Sequence, residues 1–190
     1  MTKLVEFIPN FSEGRRQEVI DQISEAAQGV PGAKLINVNV EPSYNRCVHT
    51  VVGDPEAVLE AGFRMCQKAV ELIDMNHHKG EHPRIGAVDA SPFIPLEDMT
   101  AKECVDLCNR LGERVAKELQ VPVYLYEKAS MLPSLSSSMH RASAQALNSS
   151  QLVGMERPFC SNRSLRYQTE VCMDQSGRPQ MWSSTVRVRM

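Results

Sequence analysis

The chain has no C-x-x-C pair, no apolar run of membrane-spanning length, no dominant charge of either sign and no internal repeat of useful period. Each absence narrows what it can be. Its six cysteines (Cys47, Cys66, Cys104, Cys108, Cys160, Cys172) lie apart, and only Cys104 and Cys108 are four apart within a helical pattern. They read as reduced core thiols of a reducing compartment rather than a disulfide framework. A membrane span needs roughly 20 apolar residues, and none is present. The opening "KLVEFIPNF" is too short and polar for the apolar core of a secretory signal. A soluble, cytoplasmic protein is expected. The formal net charge of −2 gives no global case for nucleic acid or an anionic membrane as partner.

What is present is enough for one domain with a core: 190 residues, 42% of them hydrophobic. Charge is unevenly spread. Residues 1–129 carry 14 Lys and Arg against 20 Asp and Glu, whereas residues 130–190 carry seven Arg, no Lys and three acids.

Residues 4–8, "LVEFI", form a short apolar run closed by Pro9 and Asn10, a strand and a turn. Ser12 is placed to cap a helix whose apolar positions are Val19, Ile23, Ala26 and Val30. "KLINVNV" alternates, with Ile36, Val38 and Val40 on one face and Leu35, Asn37 and Asn39 on the other. With "RCVHTVVG" it makes a hairpin through a five-residue loop. Asp54 and Pro55 open a long helix with Val58, Gly62, Cys66, Ala69 and Ile73 on its buried stripe. A strand over 85–94 follows. Thr100 and Glu103 form a capping box ahead of a helix striped by Cys104, Leu107, Leu111, Val115 and Leu119, and 121–127 is a last strand. The succession β-α-β-β-α-β predicts an α+β, ferredoxin-like sandwich, its sheet mostly antiparallel with helices on one face.

Beyond residue 129 the pattern fails. Residues 130–190 hold 13 serines, and their apolar residues keep neither period for long. Such a segment buries too little to offset its ordering entropy. It is expected to be a disordered tail, or one that folds on a partner.

"HHKGEHPRIGAVDASPFIP", residues 77–95, concentrates three of the five histidines in six positions. Three readings are open. As a metal site it is poor: Gly80 and Pro83 oppose a helix that would align His78 with His82, and Glu81 is outside an H-E-x-x-H frame. No metal is expected. As a catalytic loop, His82 would exchange protons near neutral pH. Lys79 and Arg84 would hold carboxylates, and Gly80 would let backbone approach a ligand. As a plain polar loop, His77 and His78 would only complement a helix end.

Other polar positions are equally two-sided. Asn37 and Asn39 line a groove or mark a wet edge strand. Asn45 and Arg46 close a turn or grip an anion. "PNFSEG", with Asn10 and Ser12, caps a helix or offers backbone amides to an anion. Asp89, inside a strand, needs a partner such as Arg84, His82 or solvent.

"PNFSEG", the "NR" at 45–46, "DMNHHKGEHPRIGAVDASPFIP" and "VPVYLYE" together closely resemble the formiminotransferase family, the folate-dependent enzyme domain of formiminotransferase-cyclodeaminase. The resemblance runs over roughly residues 3–128. It implies an N-terminal formiminotransferase subdomain over 1–129, apart from the tail 130–190. It also implies transfer of a formimino group from formiminoglutamate to tetrahydrofolate, one-carbon chemistry of histidine catabolism. His82 stands at the family's general base. Asn10, Ser12, Asn39, Asn45, Arg46, Lys79, Gly80, Arg84 and Asp89 are the expected substrate- and folate-binding positions. Two departures predict weak or absent turnover, as in a pseudoenzyme. Asn37-Val38-Asn39 replaces the family's D-V-D, and the second subdomain, the far wall of the cleft, is missing. A homodimer or a full-length relative completing the half-site, and a non-catalytic interaction protein, are the alternatives.

Overall fold

A computed structural model describes residues 3–82, 84, 86–129, 145–147 and 185–188. The first strand is split: β1 (Val5–Phe7) and β2 (Asn10–Phe11) flank Pro9, which has no N–H to give a ladder. Its carbonyl still accepts from the His49 amide at 3.0 Å. After α1 (Gln17–Gln28) come β3 (Ala33–Glu41) and β4 (Arg46–Gly53), a hairpin, then α2 (Pro55–Leu72), β5 (Val88–Pro95), α3 (Ala101–Glu118) and β6 (Val123–Tyr126). Two short strands, β7 (Gln145–Leu147) and β8 (Thr185–Val188), fall in the segment expected to be disordered. The rest of that segment lies outside the described residues.

The strands form one sheet in which all pairings are antiparallel: β3, β4, the split β1/β2, β5, β8, β6, β7. The chain is therefore α+β, and counting β1 and β2 as one strand, the β-α-β-β-α-β succession expected from the sequence is present through residue 95. Helices α1 and α2 pack together, α2 packs on α3, and α3 lies on β5 and β6. The side chains between helices and sheet include Phe7, Phe11, Ile20, Ile23, Met65, Phe93 and Leu111, all fully buried. Phe7 and Phe93 stack at 4.6 Å between ring centroids.

Local signals explain the helix starts. Asp54 Oδ1 accepts from the amides of Glu56 and Ala57, and Thr100 and Glu103 form the expected capping box. The expected stripe of α2 is buried, and so are Leu59, Ala61, Phe63 and Met65. A helix held between two others buries more than one stripe. Cys47, Cys66, Cys104 and Cys108 are buried free thiols; burial pushes Cys47 and Cys66 up to about 12.

Two expectations need correction. Ser12 does not cap α1, which begins five residues later behind Arg16 and has no side-chain cap. The reason is that the chain stays tied to the β5 side through residue 12. The Ser12 amide donates to the Ala87 carbonyl, and its Oγ donates to the Gly86 carbonyl at 2.8 Å. In β3 the alternation slips. Leu35 pairs with Val51 and Asn37 with Thr50, so Ile36 is an extra residue, a β-bulge. Leu35 and Val38 thus share the core side, and Ile36 is 54% exposed. Asn37 and Asn39 fall on the side opposite Leu35.

That opposite side is the face the described helices leave open. In β4 the residues Cys47, His49, Val51 and Gly53 are buried and the intervening Arg46, Val48, Thr50 and Val52 only partly so. Register places Asn10, Asn39 and Ala90 in one row with Val48 on this open face.

Candidate active site

Arg46, the first residue of β4, is the centre of the polar cluster. Its Nη1 donates to Asp89 Oδ2 at 2.6 Å and contacts His82 Nδ1 at 3.0 Å. Its Nε and Nη2 donate to Asn10 Oδ1 at 3.2 and 2.8 Å. Asp89 finds this partner through local irregularity. Phe11 pairs with Val88 and Asn10 with Ala90, so Asp89 is the extra residue of a bulge, a device that re-aims a side chain. The Arg46–Asp89 pair is well shielded, with side chains 14% and 6% exposed. A guanidinium only donates, so His82 Nδ1 is the acceptor in this contact. The Tyr44 ring lies 5.6 Å from the imidazole, tilted by 58°.

Asn45 builds the scaffold for this cluster. At φ 51° it occupies the left-handed region that Asn tolerates better than most residues and closes the β3–β4 turn, its amide donating to the Pro42 carbonyl. Its Oδ1 accepts from the Gly14 amide at 2.9 Å, and its Nδ2 donates to the Lys79 carbonyl at 3.1 Å. Its own carbonyl accepts from His78 Nε2 at 2.9 Å. Gly80 passes so near the turn that a Cβ there would overlap the Tyr44 carbonyl, a close approach that requires glycine. The turn, the loop before α1 and the loop before β5 are thereby joined.

Burial lowers the His78 pKa, the largest influence on it, and its buried Nδ1 has no partner among the described residues. Arg84, exposed, wraps its own loop: Nη1 and Nη2 donate to the carbonyls of Gly80 and His78 at 3.2 and 2.7 Å. Lys79 is exposed, as is Asn39. The amides after "PNFSEG" do receive an anion, but an internal one. Glu13 Oε1 accepts from the amides of Arg15 and Arg16, each at 3.0 Å, and Oε2 from Arg16 Nε at 2.6 Å. Burial alone would raise the Glu13 pKa; the Arg16 and Arg15 amides and the Arg16 guanidinium outweigh it and hold it below the usual carboxylate range. A cleft of about 400 Å³ beside this loop is lined by Arg15, Arg16, His77 and His78 among others.

The structure therefore brings together Asn10, Arg46, His82 and Asp89, and supports them with Asn45 and Gly80. It sets Ser12 inside the fold, Lys79 and Arg84 on the loop surface, and Asn39 on the open face. Sequence reasoning did not single out Glu13, Tyr44 or His49. His49 was open to inference, because alternation in "RCVHTVVG" puts it on the face of Cys47 and Val51. The Tyr44–His82 contact had no local signal, since it joins loops 38 residues apart. Among the described residues there is no group of three His, Cys, Asp or Glu side chains able to hold a metal ion, and no helix is long and apolar enough to cross a membrane.

A family model described as the formiminotransferase domain, N-terminal subdomain, matches residues 4–151. Over 134 residues the chain is 52% identical to the formimidoyltransferase-cyclodeaminase of Rattus norvegicus, covering 70% of this chain and 25% of that one. It is 46% identical over 133 residues to the glutamate formimidoyltransferase of Streptococcus pyogenes serotype M1, covering 70% and 44%. With the glutamate formimidoyltransferase of Thermoplasma acidophilum the figures are 45% over 130 residues, 68% and 43%. The match thus spans from a quarter to under half of these relatives' length.

Proposed function

The chain belongs to the formiminotransferase N-terminal subdomain family, and from that premise we propose that it is a folate-binding domain of formiminotransferase type, with residues 1–129 as the functional unit. The observation that carries this reading is the His82 ring, held by Arg46 and flanked by Tyr44 at the edge of the sheet face that the described helices leave open. Its relatives' names specify formimidoyl transfer involving glutamate. The ligands are tetrahydrofolate and formiminoglutamate, both bearing carboxylates. Lys79 stands exposed on the loop to meet them as a point charge; Arg84, exposed too, presents its planar fork to them once it releases the Gly80 and His78 carbonyls. When the folate nitrogen bonds to the formimino carbon it must shed a proton, and His82 is the group that handles it. No metal takes part in this scheme.

Turnover by this chain alone is weak or absent. Asn39 supplies an amide on the open face where a carboxylate would supply charge, and losing one such interaction commonly costs a hundredfold or more in rate. An N-terminal subdomain acting by itself also positions two substrates poorly, and positioning supplies a large share of two-substrate catalysis. Calorimetric titration with tetrahydrofolate or folinic acid, repeated with His82→Ala and Arg84→Ala, tests the binding. Heat is expected from the unaltered chain and less from either variant; no heat at millimolar ligand overturns the proposal.

The fraction of its relatives' length that the chain spans favours a second reading, in which another copy or a full-length relative supplies the far wall. Sedimentation together with a formiminoglutamate assay separates the two. A monomer that stays inactive when mixed with the full-length relative removes this one.

A further inference from the structure

The group behind His82 constrains which of its nitrogens bears the proton. A guanidinium has five N–H donors and no acceptor, so the 3.0 Å contact between Arg46 Nη1 and His82 Nδ1 has a fixed polarity. The alternative tautomer, with its proton on Nδ1, would set two donors against each other. In a direct carboxylate–imidazole pair the carboxylate accepts from one ring nitrogen and leaves the lone pair on the other. With a guanidinium as the ring's neighbour that order is reversed. Nor is Arg46 at liberty to turn. Asp89 takes the same Nη1 at 2.6 Å, Asn10 takes Nε and Nη2, and only 14% of the arginine side chain is exposed.

We propose that Arg46, clamped by Asp89 and Asn10, is a positioning residue that fixes His82 in the Nε2–H tautomer with its lone pair turned inward. While that contact holds, Nδ1 accepts and the ring's proton stays on Nε2. This rests on the reading of His82 as the proton-handling group, but its test needs neither ligand nor turnover.

Long-range 1H–15N correlation spectra of the full 15N-labelled chain, taken where the imidazole is neutral, report which His82 nitrogen bears the proton. The unaltered protein should show the Nε2–H pattern with an excess of about tenfold or more, the bias that one charge-assisted hydrogen bond carries. Arg46→Lys, which keeps a donor, should retain the pattern. The double variant Arg46→Met/Asp89→Asn removes both charges together and leaves no ion unpaired; there the excess should fall severalfold. Asn10→Ala keeps the ion pair but loosens the clamp, and should give an intermediate ratio. An Nδ1–H pattern in the unaltered chain overturns the proposal whether or not any variant folds. So does an unchanged ratio in a folded double variant. Failure to bind folate, with the spectra as described, would instead remove the functional reading and leave the tautomer assignment standing.

Discussion

His49 shows what a single buried imidazole does to a fold. It is 0% exposed, its Nε2 lies 3.0 Å from Ser24 Oγ, and its Nδ1 has no partner among the described residues. Because Ser24 Oγ donates to the Ile20 carbonyl, the hydroxyl receives the Nε2 proton and the Nδ1 lone pair is left over. Burial drives the His49 pKa down to about 4 from an ordinary 6.5. The unfolded chain thus binds a proton that the folded chain refuses. The contribution is harmless above pH 6.5, and stability is lost as pH falls from there toward 4. Between pH 7 and 5 the loss from this group alone should be about 2 kcal/mol. Urea unfolding of the wild type and His49→Leu at both pH values isolates it, because the variant should lack that part of the slope. A second residue-scale expectation concerns Asp89. Asp89→Ala strands a shielded guanidinium and should cost about 3–5 kcal/mol, read as a lowered unfolding midpoint. At this scale the sequence was only half legible. That Asp89 needed a partner followed from its strand position, but the partner is Arg46, 43 residues away, because the bulge turns the carboxylate toward the open face.

Elements were easier to foresee than their irregularities. Helices α2 and α3 announce themselves through caps and stripes, and both begin where Asp54 and Thr100 place them. Strand β3 misled because period-two counting has no provision for an extra residue. Ile36 looks as internal as Val38 on paper, yet it stands out of the ladder. The bulge has a direct consequence. Ile36→Ser should stay within about 0.5 kcal/mol of wild type, as exposed positions do, whereas Leu35→Ala should cost about 1–2 kcal/mol through lost packing. Chemical denaturation of the two variants checks this; the opposite ranking would restore the uninterrupted alternation. Thr100→Ala, which removes one half of a reciprocal cap, should cost about 1 kcal/mol on the same measurement.

Over the whole molecule, the order of strands and helices through residue 95 was readable because each element carries its own period and punctuation. The site was not, since its members come from four separate segments: Asn10, Arg46, His82 and Asp89 meet only once the sheet is assembled. Ser12 illustrates the same limit. Its sequence context is that of a helix cap, and only the tie to Gly86 reveals it as a latch. The face that the described helices leave open, with Asn39, Val48 and Thr50 on it, is a property of assembly too. A strand with one partly exposed side reads the same in a sequence whether that side meets water or another wall.

Asn45 has a consequence for motion. Through one side chain it knots together Gly14, its own turn and Lys79, stretches lying more than thirty positions apart. Rim segments spliced at a single point cannot loosen one by one. Cutting the splice with Asn45→Ala should therefore free each of them to move by itself, with deuterium uptake quickening both at Gly14 and across 79–81 while the helical layer keeps its pace.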